Sequence, residues 1–192
     1  MDAGGWLAGA GKREIAFEGG GFGMLGYGRA EHVIERRETK LYSRAFYFAG
    51  GDGAPLFFAQ SEICMMQPEV KRAVLERLAA THAGTFNDEN LLLCAQHTHS
   101  APGGYAHFPF YNFPVPGFRP PVLEAIVASF AGALADAWRR RPARLRFGHG
   151  DFPADADVAF RSTARRRRSA SSPRPPPARS SASRGCAGCP AF

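Results

Sequence analysis

Between residues 122 and 138 one apolar stripe runs without interruption. Val122, Ala125, Ile126, Ser129, Phe130, Ala133, Leu134, Ala137 and Trp138 recur at helical spacing, and Arg139 to Arg141 follow to complement the negative end of the helix dipole. A helix with so broad an apolar face has to bury it against a second layer, which the rest of the chain must supply. Residues 41–49 (LYSRAFYFA) and 56–64 (LFFAQSEIC) are aromatic-rich runs separated by the turn signal GGDG, and read as neighbouring strands. In QPEVKRAVLERLAATHA, Val70, Ala73, Val74 and Leu78 return to helical spacing behind Pro68 and Glu69, which predicts a helix over about 68–82. Residues 91–95 (LLLCA) form the short continuous apolar run of a strand buried on both faces, and RLRFGHG at 144–150 reads as one more strand. The alternation predicts an α/β fold, a mixed sheet flanked by helices.

The first 40 residues are glycine-rich and are expected to be irregular, with GGGFGMLGY at 19–27 in tight turns or close to another surface. GAGK at 9–12 does not make a phosphate loop, because Trp6 stands where its first glycine belongs and Arg13 where Ser or Thr should follow the lysine. No run approaches the roughly 20 apolar residues expected of a membrane span. The start, MDAGGWLAGAGKREI, has neither the basic nor the apolar region of a secretory leader, so the chain as written is expected in the cytosol.

The net charge of +7 belongs to the end of the chain. Residues 161–192 carry eight arginines and no acid, which leaves −1 for residues 1–160. That segment is almost only Arg, Ser, Ala, Pro and Gly with no periodic apolar residues, the composition of a disordered basic tail. Eight cations could bind nucleic acid or another anionic surface through phosphates, a function that deleting the tail would abolish. Cys64 and Cys94 lie in apolar contexts and read as small buried hydrophobes. Cys186 and Cys189 form a CxxC with no second pair to complete a zinc site.

The apolar run at 91–95 ends in Gln96-His97-Thr98-His99-Ser100. In extended backbone His97 and His99 would project to one face, just beyond the carboxyl end of the strand, where open α/β sheets commonly build sites. Imidazoles so placed can hold one metal, or a metal and a substrate, and they can equally well bond only to carbonyls or water. His82 at a helix end, His107 in an aromatic loop, and His32 and His149 with no motif around them read as surface or capping residues, with His107 the exception because its loop could border a substrate entrance. The loop at 107–121 is long for a structureless connection. Its Phe108, Phe110, Tyr111, Phe113 and Phe118 suit either a long acyl chain or packing onto the loop's own domain.

His97-Thr98-His99-Ser100-Ala101-Pro102-Gly103-Gly104-Tyr105 resembles the THTHSGPGGY-type signature of the neutral, non-lysosomal ceramidases, with Gln96 for the first Thr and Ala101 for a Gly. Met24-Leu25-Gly26-Tyr27 is similar to that family's early MMGY segment. Leu41-Tyr42-Ser43-Arg44-Ala45-Phe46 is similar to its R-L-Y-A-R-A-F strand, and Ser61-Glu62-Ile63-Cys64-Met65 to its T-D-L-x-M. Where the family reads N-R-S, this chain has Phe160-Arg161-Ser162.

The resemblance implies that residues 1–160 are the amino-terminal portion of a larger zinc hydrolase domain that cleaves the amide of ceramide to sphingosine and a fatty acid. It implies His97 as a zinc ligand and His99 as an unligated catalytic group on the substrate amide or its developing oxyanion. Gly26 and Arg161, together with His99, would bind substrate. The remaining zinc ligands, a second His, a Glu and a Tyr, lie downstream in the family, so the isolated chain is expected to be an inactive fragment. The implied partners are a lipid substrate, ceramide or a related N-acyl amine, and a membrane surface, with no specific nucleic acid. A zinc amidase or esterase acting on a non-ceramide substrate would share these features. Members of the family are often secreted or membrane-associated, which stands against the cytosolic expectation. The abrupt change of composition at residue 161 resembles wrong-frame translation of a GC-rich gene, so residues 161–192 are expected to be a frame-shifted tail.

Overall fold

Glycine conceals the first element. Trp6–Glu14 (WLAGAGKRE) is a nine-residue strand, β1, where irregular turns are expected from the sequence. A Cβ on Gly9 would collide with the Ala137 carbonyl, and one on Gly11 with that of Ala133. The two glycines therefore let a helix backbone press directly onto the strand, and GAGK is strand interior.

The computed structural model describes residues 5–51, 53–115 and 117–151. After β1 come β2 (Phe22–Gly23), β3 (Val33–Ile34), β4 (Tyr42–Gly50), β5 (Leu56–Ser61) and α1 (Pro68–Ala79). They are followed by β6 (Leu91–Ala95), a 3-10 turn at Pro109–Asn112, α2 (Pro120–Ala137) and β7 (Arg141–Ala143). Five strands form one sheet in the order β6-β5-β4-β1-β7. All its pairs are antiparallel except β5 with β6, which run parallel and are joined through α1. This is the expected mixed sheet with helices. These elements belong to the unit Met1–Leu145, distinct from Arg146–Phe192. The boundary expected near residue 160, the tail and the pair Cys186/Cys189 lie outside the described residues.

The helices cover one face of the sheet. Ser43, Ala45 and Tyr47 of β4 and Phe57, Ala59 and Ser61 of β5 alternate inward, toward Val122, Ile126, Phe130 and Leu134 of α2. Val70, Val74 and Leu78 of α1 join the same core. At 18 residues α2 is long and apolar enough by composition to cross a membrane, contrary to the sequence expectation that no run approaches this; here it is the core helix, with more than half its length buried. Three buried hydroxyls tie it to the sheet: Ser43 Oγ lies 2.8 Å from Ser61 Oγ and 2.7 Å from Ser129 Oγ, and Ser129 donates to the Ile126 carbonyl at 2.8 Å.

The opposite face stays aromatic. Phe46 lies 6.4 Å from both Phe48 and Phe58, centroid to centroid, and Phe46 and Leu56 are exposed. Leu92 is 53% exposed, so β6 is an edge strand covered on one side and not the doubly buried strand expected. The last strand is also displaced. It forms at Arg141–Ala143 and not at 144–150, because its pairing runs back along β1 to Trp6↔Ala143, where β1 itself begins. Of the arginines expected at the end of α2, Arg140 donates to the Trp138 carbonyl and lies 3.6 Å from its ring centroid, whereas Arg141 has entered β7.

Candidate functional site

β6 stops at Ala95, yet its hydrogen bonding to the neighbouring segment continues. The Gln96 amide donates to the Ser61 carbonyl at 2.9 Å and the His97 amide to that of Ile63 at 3.0 Å. At His97 φ is 66°, the left-handed region, which a residue with a Cβ enters at a cost of about 1–3 kcal/mol. The chain turns there. Contrary to the expectation from the sequence, His97 and His99 therefore do not share a face by strand alternation. The turn folds them together, with ring centroids 5.0 Å apart.

The His97 ring is oriented by backbone. Its Nδ1 lies 2.9 Å from the Cys64 carbonyl oxygen. A carbonyl can only accept, so in the neutral ring this contact places the proton on Nδ1 and leaves the lone pair on Nε2, the arrangement that metal-binding histidines generally show. Cys64 Sγ is 3.9 Å from the same Nδ1, on the side of the ring its own carbonyl already occupies. Burial pushes the Cys64 thiol up, so it stays neutral. Cys64, His97 and His99 each offer a donor atom within 4.8 Å of the others, and nitrogen and sulfur donors of this kind suit zinc.

His99 is seated by its neighbours. The Tyr27 ring meets it edge-on at 4.7 Å, and Tyr27 in turn meets His32 at 4.9 Å. Behind it, a Cβ on Gly26 would collide with the imidazole, so only glycine leaves room for this ring. The Gly103 amide donates to the Gly23 carbonyl at 2.8 Å, and Met24 bridges to Pro102, which lays residues 23–27 along the turn. Glu62 accepts from the Tyr42 amide at 2.8 Å and from Arg44 at 2.6 Å. Tyr105 is fully buried, and its hydroxyl contacts both backbone groups of Met65. All four segments quoted for the resemblance thus meet in one corner of the fold.

Among the expected site residues, His97, His99 and Gly26 come together, and Arg161 lies outside the described residues. His82 pairs with Thr81, His107 packs on Phe118 and His149 is exposed, as expected of residues without a motif. His32 departs from that expectation through its contact with Tyr27. Of the loop aromatics, which suit either a long acyl chain or packing onto the loop's own domain, Phe110 is 83% and Phe113 87% exposed. A groove of about 600 Å³, lined by Phe17, Met24, Ile34, Arg37, Leu41 and Ser100 among others, runs beside the turn.

A family model described as neutral/alkaline non-lysosomal ceramidase, N-terminal, matches residues 6–168. Neutral ceramidase of Pseudomonas aeruginosa is 34% identical over 146 residues, 75% of this chain and 22% of that protein. Its counterpart from Mycobacterium tuberculosis is 36% identical over 151 residues, 75% of this chain and 23% of that one. The crystal structure of the Pseudomonas aeruginosa enzyme matches with a TM-score of 0.70 at 31% identity, over 74% of this chain and 23% of the other. The chain spans less than a quarter of the length of these relatives. With a family model across most of its length, and with the shared segments assembled around one histidine turn, this chain belongs to the neutral/alkaline non-lysosomal ceramidase family.

Proposed function

We propose that this chain supplies a metal ligand, His97, and a carbonyl-binding group, His99, to a zinc-dependent hydrolase of ceramide or a related N-acyl amine. The observation that carries this reading is the 2.9 Å contact between His97 Nδ1 and the Cys64 carbonyl oxygen, which in the neutral ring leaves the lone pair on Nε2. Zinc, when bound, would make hydroxide available near neutral pH and polarise the amide carbonyl. His99, packed against Tyr27 and Gly26, would donate a hydrogen bond to the amide oxygen as negative charge builds on it. Donors of this type contribute about 2.7–4 kcal/mol in other hydrolases. Gly26 leaves the room that the His99 ring needs, and the resemblance adds Gly26 and Arg161 to the substrate contacts. Exposed Phe108, Phe110 and Phe113 offer apolar surface to acyl and sphingoid chains, or to a membrane surface from which such a substrate comes.

A catalytic zinc takes about three protein ligands and a water. Among the described residues of the corner, His97 and at most His99 are read as nitrogen ligands, so the chain alone is expected to bind zinc weakly and to hydrolyse no amide. Residues from about 161 onward are read as frame-shifted translation; a single intact frame encoding the same tail in related strains would overturn that part.

Calorimetric zinc titration of the purified chain tests the ligand assignment. His97→Ala is expected to abolish binding and His99→Ala to preserve it. Equal binding by wild type and His97→Ala would contradict the reading.

A further inference from the structure

We propose that Tyr105 is a positioning residue for His97, acting through a single peptide plane. The inference rests on the reading of His97 as a ligand through Nε2. Cys64 and Met65 share one peptide unit, whose two polar ends point in opposite directions because the bond is planar and trans. One end, the Cys64 carbonyl, accepts from His97 Nδ1 at 2.9 Å. The other end, the Met65 amide, donates to the Tyr105 hydroxyl at 3.1 Å. The same hydroxyl donates to the Met65 carbonyl at 2.8 Å. Tyr105 thereby grips both polar groups of Met65, and the plane it fixes presents the carbonyl that sets the His97 tautomer.

Two features make this relay stiff. Tyr105 is wholly buried, so no water competes for its hydroxyl. Its phenol is pushed far above the usual range by burial and stays protonated, so it always has a proton to donate. Hydrogen bonds in series polarise one another, and the Met65 bond strengthens the acceptor that His97 uses. The motif brings both ends together: His97 and Tyr105 are eight residues apart in one loop, and both reach back to the segment after β5.

Tyr105→Phe removes the hydroxyl and keeps the ring. In neutral imidazole, nitrogen-15 NMR of the wild-type chain should show His97 in one tautomer, protonated at Nδ1, and Tyr105→Phe should show a mixture. Zinc affinity should fall about 10- to 100-fold, the usual effect of losing a group that orients a ligand. Ser129→Ala, which also removes a buried hydroxyl but lies in the α2 core, should leave the tautomer unchanged. An unaltered His97 tautomer in Tyr105→Phe would overturn the proposal. Should that variant fail to fold, the unmodified chain still decides. Slow hydrogen exchange at the Met65 amide together with an Nδ1-protonated His97 supports the relay, and fast exchange or an Nε2-protonated ring overturns it. Absence of zinc binding in wild type with the tautomer pattern intact would refute the metal reading alone.

Discussion

The helix-covered core and the histidine corner share a sheet but are held by different forces. In the core, Phe130, Ile126 and Leu134 of α2 meet Tyr47 and Phe57 through many apolar contacts, each replaceable in part by its neighbours. In the corner, the orientation of one imidazole depends on one carbonyl, and that carbonyl on one peptide plane. Apolar packing is redundant and non-directional, whereas a hydrogen bond is made or lost. Stability is therefore concentrated in one region and chemical geometry in the other, and each can be broken without the other.

The largest expected effect is in the core. Phe130→Ala should lower unfolding free energy by about 3–5 kcal/mol, measured by urea denaturation, because the buried ring leaves a cavity under the sheet. In the molecules that remain folded, the His97 tautomer should be unchanged; a shifted tautomer would show that the two regions are coupled. A smaller effect is expected at the rim of the sheet, where Glu14 meets Lys40 at 2.9 Å and Arg37 at 2.7 Å. The hydrogen bond from Lys40, joined by the charges of Lys40 and Arg37, holds the Glu14 carboxyl below its usual range. A depressed folded-state value means that this stabilisation is present above the ordinary carboxylate value and is lost as pH falls through and below it. Thermal unfolding should show a slight acid sensitivity near and below about pH 4 that salt weakens and Glu14→Gln removes. An identical acid profile in Glu14→Gln would assign that sensitivity elsewhere.

What was legible in the sequence follows the same division. The stripe of α2 and the Val70, Val74, Leu78 face of α1 show their period because burial selects apolar side chains at every turn. β1 was hidden because its inward positions include Gly9 and Gly11, where the approach of α2 leaves no room for the side chains that would reveal alternation. The last strand was misplaced because residues 144–150 alternate well, but a strand needs a partner and β1 begins at Trp6. In the corner, the HTHS and MLGY segments marked His97, His99 and Gly26 by resemblance, while strand periodicity gave the wrong reason for their meeting. The left-handed turn at His97 and the Tyr105 relay depend on which backbone atoms face one another across distant segments. Residue type carries no sign of that; only the presence of Tyr27 and Tyr105 within the quoted motifs hinted at it.

The proposed ligation of zinc by His97 is reported directly by nitrogen-15 NMR of the labelled chain during zinc addition. A zinc-dependent shift at His97 Nε2, with Nδ1 still protonated and His99 unligated, is the predicted result. Zinc binding that leaves His97 Nε2 unmoved, or that strips the proton from Nδ1, would contradict it.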